Sequence, residues 1–257
     1  MADIHFARSR ALEVIDYFGI SAPEDIDLEA MAWHKGIDIK EGKLAGSEAE
    51  LIRKKGAGVI RIRSGEKETP RGRFSIAHEL GHWELHEHQS QLWLCTSEMI
   101  HAYAGSDMEI EANAFAAELL MPTPIFRPIC RKGTFSFRLA DHLSSLFKTS
   151  LQATALRMVE ETDEPAIVVL TDGEQVLWSK RNQKKLPDYD FHIQRGTNLH
   201  PDSLAWNATV EGDMTGTVEA KRWFPNLKDA YRFSLQEDVR YIEAYDLTLS
   251  LITLYED

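Results

Sequence analysis

The chain has 257 residues, 43% of them hydrophobic, enough to fill a sizeable core and more than one domain. Its 29 Lys and Arg against 41 Asp and Glu leave a net charge of −12, which argues against a nonspecific nucleic-acid binder. Two cysteines make no disulfide framework, residues 1–20 lack the apolar stretch of a signal peptide, and no apolar run reaches bilayer length, so a cytoplasmic protein is expected.

In chain order, residues 6–19 have the spacing of an amphipathic helix with Phe6, Leu12, Ile15 and Phe18 inward. Pro23 and the acidic Glu24–Asp27 open a second helix through Trp33, and short strands are expected near Ile37–Ile39 and Val59–Ile62. Basic spots that could hold phosphates follow at Arg53-Lys54-Lys55 and Arg61/Arg63, and a solvated surface or a salt-bridged loop explains each equally well.

The stretch Arg73-Phe-Ser-Ile-Ala-His78-Glu79-Leu-Gly-His82 reads as a helix with Ser75 as its N-cap. On that helix His78 and His82 lie one turn apart and project from one face, so both imidazoles can reach one metal ion. Glu79 sits beside the ion rather than on it, where a carboxylate can act as general base for peptide hydrolysis. A zinc site of this kind needs a third protein ligand and an open position. A second helix, Met108–Met121 ended by Pro122, offers one: Glu109 and Asn113 share a face, whereas Glu111 points about 200° around from Glu109 at the helical period. Periodicity alone does not choose between the two glutamates. Asn113 is placed to orient a liganding histidine. His86, a further turn along the first helix, is too far on to share the ion and is expected to support a ligand or to pack. Between the two helices, His101 and Tyr103 stand where they could stabilise an oxyanion.

Residues 138–161 read as helix, polar turn and helix, with Thr149 or Ser150 as cap. This resembles a helix-turn-helix, but Gln152, Thr154 and Arg157 are its only obvious base readers, and a helical bundle packed on the core is the stronger reading. After Glu164-Pro165 strands are expected at 166–170, 175–178, 204–210, 216–220 and 247–254. The last alternates as a strand with one solvated face would. Lys180, Arg181, Lys184 and Lys185 form a basic cluster and a candidate nucleic-acid contact.

RFSIAHELGHWELH (73–86) followed by EIEANAFAAELLMP (109–122) resembles the paired signatures of the ImmA/IrrE-type zinc metallopeptidases, and the likeness extends over roughly residues 1–160. The resemblance implies one catalytic zinc ion, with His78, His82 and Glu109 as its ligands and Glu79 as general base. It implies a helix-turn-helix repressor as the substrate, cleaved to release a stress or phage-defence operon. The segment after 164 is similar to the GAF-like sensing domains of some family members, with single-stranded DNA as the leading activating ligand.

Cys95 lies in the connector between the two motifs. A thiolate there could take the open position on zinc and hold the enzyme latent, as the connector's likeness to phage-defence-associated members implies; the alternative is a cysteine buried among Leu92, Trp93 and Leu94. Cys130 is expected to be structural. The expected fold is α+β: a mainly helical HExxH zinc-metallopeptidase core at 1–137, a helix-turn-helix-like segment at 138–163 packed on it, and a smaller mixed α/β GAF-like domain at 164–257. The rival functional reading is a ligand-sensing regulator that keeps zinc for structure and binds DNA or a partner protein without cutting it.

Overall fold

A computed structural model describes residues 1–44, 48–54, 56–86, 106–187, 191–208 and 214–256, with 92–95 described along the backbone alone. The described chain falls into two compact units: Met1–Ile125 with Ser144–Ser150, and Phe126–Leu143 with Leu151–Asp257.

The first unit is built on three long helices and a small sheet. Helix α1 (Ile4–Tyr17) starts where the Asp3 carboxylate accepts the Phe6 N–H, satisfying one of the donors a helix start leaves orphaned. Helix α2 (Leu28–His34) is capped in the same way by Asp27, which accepts from the Glu29 and Ala30 N–H groups. Strands β1 (Ile37–Gly42), β2 (Ala49–Lys54), β3 (Ala57–Arg63) and β4 (Leu92–Cys95) form a sheet of order β1-β3-β2-β4, with β1–β3 parallel and the other pairs antiparallel. Neither β2 nor β4 was expected. In Ala49-Glu-Leu-Ile-Arg-Lys54 the charged residues dilute the apolar alternation, and Leu92–Cys95 is a short apolar run that periodicity alone does not type.

Helix α3 (Pro70–Leu85) begins five residues before the expected cap at Ser75. Thr69 is the N-cap, its hydroxyl accepting the Gly72 N–H, and Pro70 occupies the first helical position, where its missing N–H costs nothing. Ser75 instead donates its hydroxyl to the Arg71 carbonyl from inside the helix. Helix α4 (Asp107–Leu120) packs on α3 and on α1. The common core holds Ile76, Ala77 and Leu80 with Phe115, Ala116, Leu119 and Leu120. Ala7, Ala11, Val14 and Ile15 form the buried face of α1, while Phe6, expected inward, is exposed. Small side chains at 7 and 11 let α1 lie close against α4, and that packing rotates the face away from the largest apolar residue.

In the second unit, helices α5 (Thr123–Cys130), α6 (Phe137–Phe147) and α7 (Leu151–Glu161) precede the sheet, each belonging to it over its part of the residue ranges above. Five antiparallel strands follow: β5 (Ala166–Thr171), β6 (Val176–Arg181), β7 (Met214–Glu219), β8 (Phe233–Ile242) and β9 (Leu247–Glu256), in the order β6-β5-β9-β8-β7. Central β9 is buried from Thr248 to Leu254, so its alternation marks two covered faces rather than one solvated face. One face, with Ile167, Val169, Ile252 and Leu254, packs on Leu186, Ile193, Leu199, Trp223 and Phe224.

The sequence reading also differs from this unit at two further places. Residues 204–207 form a short helix, α8 (Leu204–Asn207), where Ser203 accepts the Trp206 N–H, rather than the start of a strand. Strand β8 went unread because Gln236, Glu237, Asp238 and Arg240 interrupt its apolar pattern. Glu237 is fully buried and accepts the N–H groups of Leu204 and Ala205. Burial pushes its carboxyl above the ordinary range.

Candidate metal centre

The crossing of α3 and α4 decides what the H-E-x-x-H helix faces. Gly81 makes the crossing close: a Cβ at that position would stand 3.1 Å from Phe115 Cδ1 and 3.2 Å from the Ala112 Cα and carbonyl oxygen. Because the helices meet there, Glu109, a turn before Ala112, reaches both His78, a turn before Gly81, and His82, the residue after Gly81.

His78, His82 and Glu109 converge, all buried. The two imidazole Nε2 atoms are 3.0 Å apart, Glu109 Oε2 is 3.2 Å from His78 Nε2, and Glu109 Oε1 is 3.3 Å from His82 Nε2. A tetrahedral shell with bonds of ~2.0–2.1 Å has edges of about 3.3 Å, so this triangle of donors fits the face of a zinc-sized coordination shell. The electrostatics agree. Burial lowers the His82 imidazolium pKa to about 4, favouring the neutral ring a metal requires. Burial alone would raise the Glu109 carboxyl, but hydrogen bonds to His78 and His82 outweigh it and hold the group ionised, well below the usual carboxylate range. Two imidazole nitrogens and a carboxylate thus converge on one buried point, an arrangement compatible with a metal ion.

Around this cluster lie other sequence candidates. Asn113 Oδ1 is 3.0 Å from His78 Nδ1, the ring nitrogen away from the cluster. Glu79 is fully buried on α3 next to His78. Glu111 is not in the triangle; its Oε2 is 3.0 Å from His86 Nε2, and its Oε1 accepts the Asp3 N–H at 2.8 Å. Arg53, read as part of a basic spot, donates to the His82 and Trp83 carbonyls at 3.1 Å each and lies 4.2 Å over the Trp83 ring. It neutralises the carbonyl end of α3 directly behind the cluster, a role that pattern reading of β2 could not reveal. Arg61 and Arg63 are likewise paired, with Glu50 and Glu66.

The Cys95 backbone pairs with Ala49 at the end of β4, but its side chain lies outside the described residues, as do His101 and Tyr103. Cys130 is buried, and burial pushes its thiol up to about 12. On α7, Thr154 and Arg157 are buried rather than presented to a groove. The Arg157 guanidinium pairs with Glu160 at 3.1 Å and Glu161 at 3.5 Å. In the cluster near residue 180, Lys180 pairs with Glu160, Lys185 lies 4.0 Å from Asp163, Arg181 reaches the Pro187 carbonyl, and Lys184 is exposed. Among the described residues, no helix is long and apolar enough to cross a membrane.

Comparisons with known proteins bear on this centre. A Mycobacterium tuberculosis transcriptional regulator has a similar fold, with a TM-score of 0.60 at 14% identity over 97% of this chain and 87% of that one; the likeness extends to fold alone. Sulfotransferase 1A1 of Canis lupus familiaris is 23% identical over 113 residues, 39% of this chain and 38% of that protein. The chain therefore spans well under half the length of that curated relative. The family model of the IrrE N-terminal-like domain matches residues 33–159, a span that encloses α3, α4 and every residue of the buried cluster. By that match the chain belongs to the ImmA/IrrE-type M78 peptidases.

Proposed function

We propose that the chain is a cytoplasmic regulatory zinc endopeptidase that cuts a helix-turn-helix repressor and so releases a stress or phage-defence operon. The observation that carries this reading is the buried convergence of His78, His82 and Glu109, with Glu79 next to His78 on α3. Zinc in this cage would supply Lewis acidity, polarising the scissile carbonyl and making water a competent nucleophile near neutral pH. Glu79 accepts the proton of the attacking water and passes it to the leaving amine nitrogen. Asn113 Oδ1 accepts the His78 Nδ1–H, which directs the His78 Nε2 lone pair inward.

Specificity comes from docking the partner repressor. The second unit acts as the sensor, a GAF-like role supported by a cavity of about 330 Å³ lined by His192, Gln194, Thr197, Trp223, Phe224 and Asn226 among others. Single-stranded DNA is the first activator to test there. The basic residues at 180–185 are a weak landing place for it, since Lys180 and Lys185 already face carboxylates. Cys95 would act as the latch, its thiolate supplying a further ligand to the ion until the signal arrives.

The test is a cleavage assay with zinc-loaded protein and the repressor encoded beside it, with and without single-stranded DNA. Wild type, Glu79→Gln and Cys95→Ser are compared. Cleavage by wild type that Glu79→Gln abolishes is the expected result, with Cys95→Ser cutting without a signal. A Glu79→Gln variant that keeps zinc and every regulatory effect would sink the peptidase reading in favour of a binding regulator.

A further inference from the structure

The second unit carries a cleft that the peptidase chemistry does not use. It encloses about 330 Å³ between two short segments, residues 192–197 and 223–227. Backbone hydrogen bonds hold both segments. In the first, Gly196 at φ +79° forms a turn that brings the Thr197 N–H to the Gln194 carbonyl. That turn is stitched to β6, with Val176 N–H donating to Thr197 O at 2.9 Å and Gly196 N–H to Val176 O at 2.8 Å. The second segment closes where the Leu227 N–H meets the Phe224 carbonyl at 3.1 Å. Phe191 packs edge-on against Phe224, with ring centroids 5.7 Å apart. The walls are thus fixed by the fold itself.

The lining is of two kinds. Trp223 and Phe224 are core residues, 5% and 3% exposed, that also border the cleft, with Leu227 beside them. Gln194, Thr197 and Asn226 supply amide and hydroxyl groups, each able both to donate and to accept. No Asp, Glu, Lys or Arg is among the lining residues. Charge begins one residue further along the chain: Arg195 follows Gln194, and Lys228 follows Leu227. Both are exposed, and neither has an ion-pair partner among the described residues. Asp229 comes next after Lys228, so Arg195 is the stronger of the two cations.

These features select a ligand. Aromatic walls favour a flat ring, and amides that both donate and accept suit a ring whose own edge does the same. Walls without carboxylate, ammonium or guanidinium groups offer nothing to the charged ends of an amino acid, whereas cations just outside suit a phosphate. A volume of about 330 Å³ has room for one base with its sugar, not for a run of nucleotides. We propose that the cleft is a single-nucleotide site: the base enters between the two segments, and the phosphate stays outside near Arg195 and Lys228. The inference rests on the sensor reading of the second unit and narrows it, because one nucleotide, rather than a length of strand, becomes the unit recognised. That nucleotide can be a free nucleoside monophosphate or the terminal residue of a single strand.

The test uses the full chain and the four deoxynucleoside 5′-monophosphates, titrated by calorimetry beside deoxyribose 5-phosphate and inorganic phosphate. At least one mononucleotide is expected to bind in the sub-millimolar range, and the two base-free phosphates about tenfold more weakly or not at all. Saturation-transfer NMR should mark the base protons more strongly than the sugar protons. Deoxyribose 5-phosphate that binds as tightly as any mononucleotide, or saturation centred on the sugar, overturns the proposal. So does a protein that binds an oligothymidylate but no mononucleotide. Asn226→Leu and Gln194→Leu keep bulk at exposed positions and remove the amides; each should weaken the mononucleotide about 5- to 10-fold. Arg195→Gln should cost about threefold and flatten the salt dependence. Unchanged affinity in all three variants overturns the assignment to this cleft. Displacement of a bound mononucleotide by the oligothymidylate supports the site with a strand as its source, and failure to displace supports it with a free nucleotide. Mononucleotide binding that leaves repressor cleavage unchanged supports the site and brings down the sensor reading alone.

Discussion

Two places in the molecule bury charged and polar side chains on helices, and they do so to opposite ends. Between α3 and α4, His78, His82 and Glu109 bring three potential metal-binding atoms to one buried point. On α7, the buried Arg157 guanidinium is answered by Glu160 and Glu161, and Glu161 by Arg127 as well, so the charges close on each other. The first arrangement costs stability unless something external completes it; the second is complete within the fold. A buried polar cluster therefore points to function when its members compete for the same missing partner, and to structure when they are one another's partners. The same contrast explains why the DNA-reading possibility of α7 fades: Thr154 and Arg157, two of its three base readers, are spent inside.

The largest effect that could break this contrast is at Glu79. Glu79→Gln should cut peptidase turnover by about 10²- to 10⁴-fold with zinc content unchanged, as measured by repressor cleavage and metal analysis side by side. Loss of zinc in that variant would mean that the carboxylate belongs to the cage and not to the chemistry. Next is Arg157→Ala, expected to lower stability by about 2 kcal/mol as Glu160 and Glu161 lose one cationic partner and keep Lys180 and Arg127, read from urea unfolding. If that variant unfolds like wild type, its ion pairs are not structural and α7 regains its claim to a binding role.

Gly81→Ala sharpens the comparison from the other side. The added methyl presses on the Ala112 backbone, so α4 must yield by a few tenths of an ångström, while alanine in place of a helical glycine returns about 1 kcal/mol. Little net change in stability is expected, yet zinc affinity should fall several-fold because Glu109 and Asn113 move with α4. Unchanged affinity would show that the cluster tolerates a looser crossing. The smallest effect concerns Cys130. With its thiol pushed up to about 12 and buried, it should escape alkylation in the native protein at pH 8 and react only on unfolding, as peptide mass spectrometry would show. Ready labelling of Cys130 in the folded state would mark it as accessible.

Much of the first unit was legible because its signals are local. Two histidines at i and i+4 share a helix face whatever surrounds them, and Pro122 past the second helix is a stop that needs no tertiary context. The start of α3 was misplaced because Ser75 is as good a cap by composition as Thr69; the preceding Pro70 was the signal that could have settled it. Strands β2 and β8 escaped since their charged residues find partners or backbone donors only in the folded sheet, as Glu50 does with Arg61 and Glu237 with the Leu204 and Ala205 amides.

By itself, then, the sequence determined the periodic elements and the pairing of H-E-x-x-H with a downstream acidic helix, since both are written in the 3.6-residue repeat and in chain-local punctuation. Only the tertiary structure decided which α4 face meets α3, and hence that Glu109 enters the cluster while Glu111 backs His86. It decided likewise that Phe6 faces outward, that Arg53 caps the metal helix and that Arg157 is sealed among carboxylates. The reason is physical: the spacing along a helix is set by its own backbone, but the partner of each face is set by how closely two helices can approach, and here that distance is set where Gly81 meets Ala112.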